Sequence, residues 1–499
     1  MLDFVALAAL IGLVMLIWDC VEVGRNDAAN LVNAIFGARV LNRRVAVMIA
    51  AIAVVLGASF SSPVMETARK GIFDPSVLTI QAAVAIYVSV YFVDTILLYG
   101  FSGFGMPVST TACLVFELVG AALFLAGFDN VHWDKVGMVT AGIAVSIAIS
   151  GTAAFMVMRV FRAAIRDKAQ DRETVLLHGP WISGAIVSWL AWFMFFKGLK
   201  NVEYVKYVKS MTFDRYGEVL ILFAMWASFT LIAHLLLVLS NRRFYKYLFP
   251  ATAVMGMICM AFAFGQNDLA NAASPGLAAF TLWRSGAAAT DLADIATKIP
   301  IPIWALFGCG VLMGAGMFTP YAQRVTRAGI NTGSQFDRVT LYAPGWCKAL
   351  ARIFLRRPNP KPTLAPESTL NNGGKKVHYD TLRASVITAI SASVIAFASG
   401  RGLPVSTTYV AFAAVFGSGL ADRVFSRGDG DTKVGRAIWV VSCWVVAPII
   451  AIVATGCIAR IVYHLSTAGL FVCIGITLAT RHFLKKRADQ HERQHHLEA

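Results

Sequence analysis

The stretch Gly24-Arg-Asn-Asp-Ala-Ala-Asn30 recurs later in the chain as Gly265-Gln-Asn-Asp-Leu-Ala-Asn271. A second stretch, Gly105-Met-Pro-Val-Ser-Thr-Thr111, recurs as Gly402-Leu-Pro-Val-Ser-Thr-Thr408, and both halves keep the same order. We call these the Asn-Asp motif and the Ser-Thr-Thr motif. All four copies adjoin long apolar segments. Duplicated polar motifs in a hydrophobic chain are typical of transporters built from internal repeats, whose substrate site lies where the repeats meet.

The composition predicts an integral protein of the lipid bilayer. The chain has 499 residues, of which 57% are hydrophobic and 14% are charged, whereas soluble domains carry about 25% charged residues. Thirteen stretches, of which the last is short, are roughly long enough to cross the hydrocarbon core; they are residues 4–22, 45–62, 77–98, 106–127, 136–158, 180–196, 218–239, 247–264, 301–318, 382–399, 404–421, 437–463 and 466–480. The first stretch has no basic leader or cleavage site, so we expect no cleavable signal peptide.

We therefore predict an all-α polytopic membrane protein with 12–13 transmembrane helices. The first Asn-Asp motif follows the first stretch and the second follows the eighth, so an odd number of crossings separates equivalent points. An odd number inverts the second unit, which predicts two inverted-topology repeats with broken or re-entrant helices at the substrate site. The predicted units are a first repeat at 1–165, connecting helices at 166–246, a second repeat at 247–465 and a C-terminal helix with a basic tail at 466–499.

The charges predict the orientation. The net charge of +16 lies in loops, so we expect no nucleic-acid partner. Most of the positive charge follows odd-numbered stretches, and the positive-inside rule places such loops in the cytoplasm. This puts the N-terminus outside an inner or plasma membrane. The loop at 320–380 lies inside, and its proline, glycine and charge predict partial disorder, above all over 356–376. One outer loop breaks the rule and is interpreted as lateral or interfacial; it carries Lys197, Lys200, Lys206 and Lys209.

The Asn-Asp motif has the chemistry of a cation site. Asn26 and Asn30 are four residues apart, so a helix presents both amides on one face; Asn267 and Asn271 repeat the spacing. A carboxylate at membrane depth costs roughly 2.5–3.5 kcal/mol on insertion scales, and so needs a partner or a cavity. Two such carboxylates stand in matched positions, Asp27 and Asp268. Amide and carboxylate oxygens suit Na⁺, and a lone carboxylate suits H⁺. The glycines of the motif permit a chain break or a close approach by a ligand.

The Ser-Thr-Thr motif has the chemistry of an anion site. Proline is favoured at the first position of a helix, which places the hydroxyl residues at a helix N-terminus. Free N–H groups, hydroxyl donors and the positive end of the helix dipole then converge on one point. The residues concerned are Ser109, Thr110 and Thr111, with Ser406, Thr407 and Thr408 in the second half. Packing alone explains many hydroxyl residues in membrane helices, but duplication at matched order favours a functional role.

At these residues the chain resembles the inorganic phosphate transporter (PiT) family. A third stretch, Val64-Met-Glu-Thr-Ala-Arg-Lys-Gly-Ile-Phe-Asp74, is also similar to a family segment, and Arg324-Val-Thr-Arg-Ala-Gly329 resembles its second-half counterpart. The resemblance implies secondary active transport of phosphate driven by Na⁺ or H⁺, without a further cofactor, by a chain that commonly forms a homodimer. The chain departs from the family pattern at the residue after each Ser-Thr-Thr, Ala112 and Tyr409, where histidine is usual, and at Arg25 and Gln266 before each Asn-Asp.

The resemblance also implies residue roles. Phosphate contacts are assigned to Asn26, Ser109, Thr110, Thr111, Asn267, Ser406, Thr407 and Thr408, with Arg25 and Gln266 beside them. Arg25 either helps to hold the anion or extends to the membrane interface. Cation contacts, including a Na⁺ site, are assigned to Asp27, Asn30, Asp268 and Asn271. Glu66 is implied as a transport-critical acid outside the central group.

Two alternatives remain open at this point. A sulfate or other oxyanion permease on the same fold is one, although phosphate keeps a donor hydroxyl that a carboxylate can accept. A membrane enzyme acting on phosphorylated lipid is the other, and it requires a nucleophile with a base, or a metal cluster. No histidine adjoins Ser109 or Ser406, and the eight cysteines form no CxxC pair. The motifs therefore favour a transporter.

Overall fold

The computed structural model describes residues 3–61, 72–73, 78–166, 168–285, 302–335, 341–355, 377–426 and 430–497. Over these residues the chain is helical, with no strand. The helices are α1 Phe4–Gly37, α2 Arg43–Ala58, α3 Ile80–Gly103, α4 Thr110–Ala126, α5 Trp133–Ile165, α6 Arg172–Ala191, α7 Glu203–Met211, α8 Phe213–Tyr216, α9 Glu218–Leu239, α10 Tyr245–Ser285, α11 Ile303–Gly316, α12 Pro320–Thr332, α13 Gly345–Phe354, α14 Thr381–Gly400, α15 Thr407–Ala421 and α16 Gly430–Leu497.

Each predicted apolar stretch overlaps one of these helices, but the number of separate spans differs from the prediction. Among the described residues, eight helices are long and apolar enough to cross a bilayer. A ninth span arises if α11 and α12 count as one, although they are bent by 69° at their junction. Two further apolar helices, α4 and α15, are shorter. These are the helices that begin at the Ser-Thr-Thr motifs.

The count is lower partly because α16 joins two predicted spans, 437–463 and 466–480. Its backbone leaves the helical region at Ser466, where φ is 48° and ψ is −124°. A Cβ on Gly469 would lie 2.4 Å from the carbonyl oxygen of Ile461, so the chain folds back on itself at this point. The arm before Ser466 packs along α4, and the arm after it runs along α3, where Thr477 and Arg481 bond α3 carbonyls.

Close packing between the halves centres on the Asn-Asp motifs. A Cβ on Gly24 of α1 would lie 1.9 Å from the carbonyl oxygen of Met313 on α11. The matched Gly265 of α10 stands in the same relation to α2, where a Cβ would lie 2.2 Å from the oxygen of Val54. Each motif helix thus packs against the second helix of the other half. Only glycine allows backbones to approach so closely.

Two parts of the predicted cytoplasmic loop at 320–380 are helical instead. Helix α12 buries Tyr321 and Val325 against α1 and α3, and α13 buries Cys347 and Ala351 against α16. The loop prediction was wrong over these two helices, because proline and charge stand beside buried apolar positions at helical spacing. The predicted disorder over 356–376 falls outside the described residues.

Candidate functional site

The Asn-Asp motifs lie inside continuous helices. Helix α1 runs through Asn26 and Asp27 without interruption, and α10 does the same through Asn267 and Asp268. The expected break at Gly24 and Gly265 is therefore wrong, and these glycines instead admit the backbone of a neighbouring helix. The Asn, Asp, Ser and Thr side chains of all four motifs are at most 6% exposed. These side chains are therefore almost completely shielded from solvent.

The Ser-Thr-Thr motifs open α4 and α15 in the same way. Ser109 is the N-cap of α4, and its hydroxyl oxygen accepts from the N–H of Ala112 at 3.0 Å. Ser406 caps α15 through the N–H of Tyr409 at 3.2 Å. Each proline precedes its cap by two residues, so the expected placement at the first helical position is wrong. The threonines do occupy the first helical turn, as predicted.

Each turn depends on its glycine. Gly105 has φ of 66° and Gly402 has φ of 70°, in the left-handed region that other residues rarely adopt. An asparagine of the same half then holds each turn. Asn26 donates to the carbonyl of Val108 at 2.6 Å, and its amide oxygen accepts from the N–H of Val108 at 3.4 Å. Asn267 bonds Val405 at 2.7 and 3.3 Å in the same way.

The acids and hydroxyls pair across the two halves. Thr110 of the first half donates to Oδ1 of Asp268 in the second half at 3.0 Å. In return, Thr408 of the second half donates to Oδ1 of Asp27. The second asparagine of each motif donates to its own acid and to the threonine of the other half. The amide nitrogen of Asn30 lies 2.8 Å from Oδ1 of Asp27 and 2.9 Å from the hydroxyl of Thr408. In the second half, the amide nitrogen of Asn271 lies 2.9 Å from Oδ1 of Asp268 and 2.8 Å from the hydroxyl of Thr111.

These bonds leave acceptor oxygens without donors at the centre. Oδ2 of Asp27, Oδ2 of Asp268 and the amide oxygen of Asn271 are buried and have no hydrogen-bond partner. Each carboxylate is bound by a threonine of the other half, so both belong to one buried group. Buried carboxylates need a positive charge or a proton nearby. Oxygen ligands of this kind fit a hard cation, which is the chemistry that the sequence predicted here.

Arg25, Gln266 and Glu66 do not join this central group. Arg25 lies 2.6 Å from Glu22 and bonds the hydroxyl of Thr319 at 3.2 Å, so its charge is already paired. Gln266 donates to the carbonyl of Gly198 at 3.1 Å, at the end of the π-helical continuation of α6. Glu66 falls outside the described residues.

The sequence singled out the four lysines of the predicted outer loop but did not show that they line a common cavity. They line a cavity of about 350 Å³ with Arg401, which adjoins the second Ser-Thr-Thr motif. We call this cavity the lysine basin. Lys197 pairs with Glu218 and Lys209 with Asp214; within the described ranges, Lys200 and Lys206 form no ion pair. The signal in the sequence was their violation of the positive-inside rule.

Comparisons with known proteins identify the family of the chain. A model of the phosphate transporter family matches residues 23–332 and 368–455. A phosphate permease homologue of Pyrococcus horikoshii is 27% identical over 445 residues, which cover 87% of this chain and 92% of that protein. An inorganic phosphate transporter of the Arabidopsis thaliana chloroplast is 25% identical, covering 85% of this chain and 67% of that protein.

A solved structure has the same fold. It is described as the sodium-dependent phosphate transporter, and its TM-score to this chain is 0.65 at 19% sequence identity, covering 91% of this chain and 98% of the other. The family match spans both halves and includes all four motifs. The chain therefore belongs to the phosphate transporter family, and it is a membrane transport protein rather than an enzyme.

Proposed function

We propose that this protein is a phosphate symporter coupled to Na⁺, which works by alternating access of its two halves. The observation that carries the proposal is the exchange of hydrogen bonds between halves, Thr110 with Asp268 and Thr408 with Asp27. Any opening that separates the halves must break these bonds. A ligand that satisfies the freed groups therefore controls the opening.

The hydroxyl residues at the two helix N-termini are the proposed anion ligands. Donors there suit a tetrahedral oxyanion, because the helix dipole and the first-turn N–H groups favour negative charge. They are Ser109, Thr110, Thr111, Ser406, Thr407 and Thr408. Asn26 and Asn267 have amide oxygens and nitrogens occupied by the turns, so we assign them the task of holding those turns. Neutral-pH phosphate also carries a hydroxyl donor, which an aspartate can accept and which sulfate lacks.

The proposed Na⁺ ligands are the unpartnered oxygens of Asp27, Asp268 and Asn271, with Asn30 completing the symmetric set. Sodium rather than H⁺ is favoured by the number of these oxygens and by the description of the structural neighbour as sodium-dependent. The cation has a second effect. It cancels the negative charge of the aspartates, which otherwise repel an incoming phosphate from the hydroxyl groups beside them.

The test is uptake of radiolabelled phosphate into proteoliposomes under an imposed Na⁺ or H⁺ gradient. We expect uptake to require the Na⁺ gradient and to survive a tenfold excess of sulfate. Asp268→Asn should abolish it. Thr110→Val should reduce it at least tenfold, because that change removes one donor to Asp268 and one proposed phosphate ligand.

The matched control is Thr252→Val on α10. Thr252 is equally buried, but its hydroxyl bonds a carbonyl of its own helix, so uptake should be unchanged. Uptake driven by H⁺ alone would refute Na⁺ coupling, and full competition by sulfate would refute selectivity for phosphate over sulfate. Equal losses in Thr110→Val and Thr252→Val would show that the first loss reflects packing rather than ligand binding.

A further inference from the structure

A second group of buried acids lies outside the motifs, between α1, α3 and α4. It consists of Asp19, Asp94 and Glu117, and all three side chains are at most 3% exposed. We call it the acid cluster. An oxygen of Asp94, an oxygen of Glu117 and the sulfur of Cys113 lie within 4.8 Å of one another. Asp19 lies on α1, which packs along α3, the helix of Asp94.

The oxygens of the acid cluster lack partners. Both carboxylate oxygens of Asp19, both of Glu117 and Oδ1 of Asp94 are fully buried and accept no hydrogen bond. Two arginines lie nearby, Arg25 and Arg481, but both pair with Glu22, at 2.6 and 2.7 Å. In the part of the chain that the structure describes, none of the three cluster acids forms an ion pair.

Three unpaired carboxylates inside a bilayer require an explanation. Each costs roughly 2.5–3.5 kcal/mol on insertion scales, and such residues mark ion pathways by default. Packing of the repeated fold does not explain them, because the second half lacks them. Counting from the motifs, Ser391 stands at the position of Asp94 and Ala414 at that of Glu117. The cluster is thus a feature of this half alone.

We propose that the acid cluster binds a Na⁺ ion, separate from the cation at the Asn-Asp motifs. The oxygens of Asp94 and Glu117, at most 4.8 Å apart, can both contact one ion whose bonds to oxygen are about 2.3–2.6 Å, the range of hard cations such as Ca²⁺. One oxygen each from Asp94 and Glu117 supplies two ligands, and Asp19 on the neighbouring helix is the proposed third. The thiol of Cys113 lies beside them and is not needed as a ligand, because hard cations prefer oxygen.

The position suits an ion on its way to the motifs, and this part of the proposal rests on the proposed Na⁺ coupling. Asp19 precedes Asp27 by eight residues of one helix, which is about 12 Å at 1.5 Å per residue. With the predicted orientation, the cluster lies on the outer side of the motif site. A Na⁺ ion in the acid cluster adds a positive charge on the outer side of Asp27 and Asp268 before phosphate binds. It also raises the number of ions bound per chain by one.

The experiment is equilibrium binding of ²²Na⁺ to the purified protein in choline buffer without phosphate. The double variant Asp94→Asn, Glu117→Gln keeps the shape of both side chains, and we expect it to bind one Na⁺ fewer than the wild type. Asp268→Asn should lose the other ion, and the combined variant should lose both. Ser391→Ala, at the matched position of the second half, should bind as many ions as the wild type.

Thermal unfolding provides a second measurement that does not depend on ion counting. Without Na⁺, the double variant should be at least as stable as the wild type, because amides do not repel each other. Added Na⁺ should raise the Tm of the wild type more than that of the double variant. An unchanged ion count would overturn the proposal and leave the acids protonated, and equal Tm shifts would agree with that result. Phosphate uptake that needs no Na⁺ would refute the proposed coupling without bearing on the ion count of the acid cluster.

Discussion

Replacing Gly265 by alanine tests whether close packing of the two halves positions the transport site. The added Cβ would lie 2.2 Å from the carbonyl oxygen of Val54 and 2.9 Å from the N–H nitrogen of Ala58, whereas ordinary contacts begin at 3.4 Å. Both atoms are backbone, so no side-chain rotation relieves the clash. Helices α10 and α2 must separate by roughly 1 Å to restore normal contact distances.

The expected destabilisation is about 2 kcal/mol. Overpacking costs about 1–3 kcal/mol, and backbone contacts place this site near the upper end. Alanine favours the helix over glycine by about 1 kcal/mol, which offsets part of this cost. Such a loss should lower Tm in detergent by roughly 4–8 °C, at about 2–4 °C per kcal/mol for a large domain. The rate of phosphate uptake should fall by a larger factor than this loss of stability alone would cause. Asn267, two residues on, holds its turn through bonds of 2.7 and 3.3 Å, and a 1 Å shift weakens both.

The control is Gly308→Ala on α11, where an added Cβ meets nothing within 4 Å. Its Tm should stay level or rise slightly, and its phosphate uptake should be unchanged. Gly24→Ala should behave like Gly265→Ala, because its Cβ would lie 1.9 Å from the oxygen of Met313. If Gly265→Ala matches Gly308→Ala in Tm and in uptake, close backbone contact does not position the site and the reasoning fails.

Three further predictions follow from the site and its surroundings. Thr408→Val should reduce Na⁺-driven phosphate uptake at least tenfold with little change in Tm; uptake near wild type would contradict its role between the halves. Lys200→Gln with Lys206→Gln should raise the KM for phosphate severalfold at low salt and leave Vmax unchanged, since screening removes long-range attraction; a KM equal to wild type would contradict anion collection by the lysine basin. Burial opposes and Arg162 favours ionisation of Asp380, and the net effect lowers the pKa of Asp380 below its ordinary 3.8. Stability from this pair is therefore complete above pH 3.8 and lost as the pH falls through the lowered pKa, so Arg162→Met should show a smaller loss of Tm on acidification than wild type.

The duplicated motifs allowed most of the architecture to be predicted from the sequence. Matched order identified the halves, and spacing placed Asn26 and Asn30 on one helix face. The sequence could not show that the two halves exchange hydrogen bonds. Nothing in the spacing says that Thr408 bonds Asp27 rather than the acid of its own half, because that depends on how the two halves dock.

The acid cluster escaped sequence analysis for a related reason. Asp19, Asp94 and Glu117 lie on three helices with no periodic relation, so no motif joins them. The nearby arginine that pairs with Glu22, Arg481, lies in the segment predicted as a short span and tail. Its role became visible only because the chain reverses at Ser466 and returns along α3.

The surroundings of the two Ser-Thr-Thr turns suggest how an anion reaches acids that repel it. Arg436 donates to the carbonyl of Gly105 at 2.9 Å, and Arg324 donates to that of Gly103 at 3.2 Å, so the first turn carries guanidinium groups. The second turn adjoins Arg401 and the lysine basin. If the repeats are inverted, these turns face opposite sides of the membrane, and phosphate meets positive charge on entering and on leaving. Positive charge at both ends attracts phosphate but does not remove the repulsion at the centre. In the proposed symport, a cation bound at Asp27 and Asp268 does that, so we expect cation binding to precede phosphate binding.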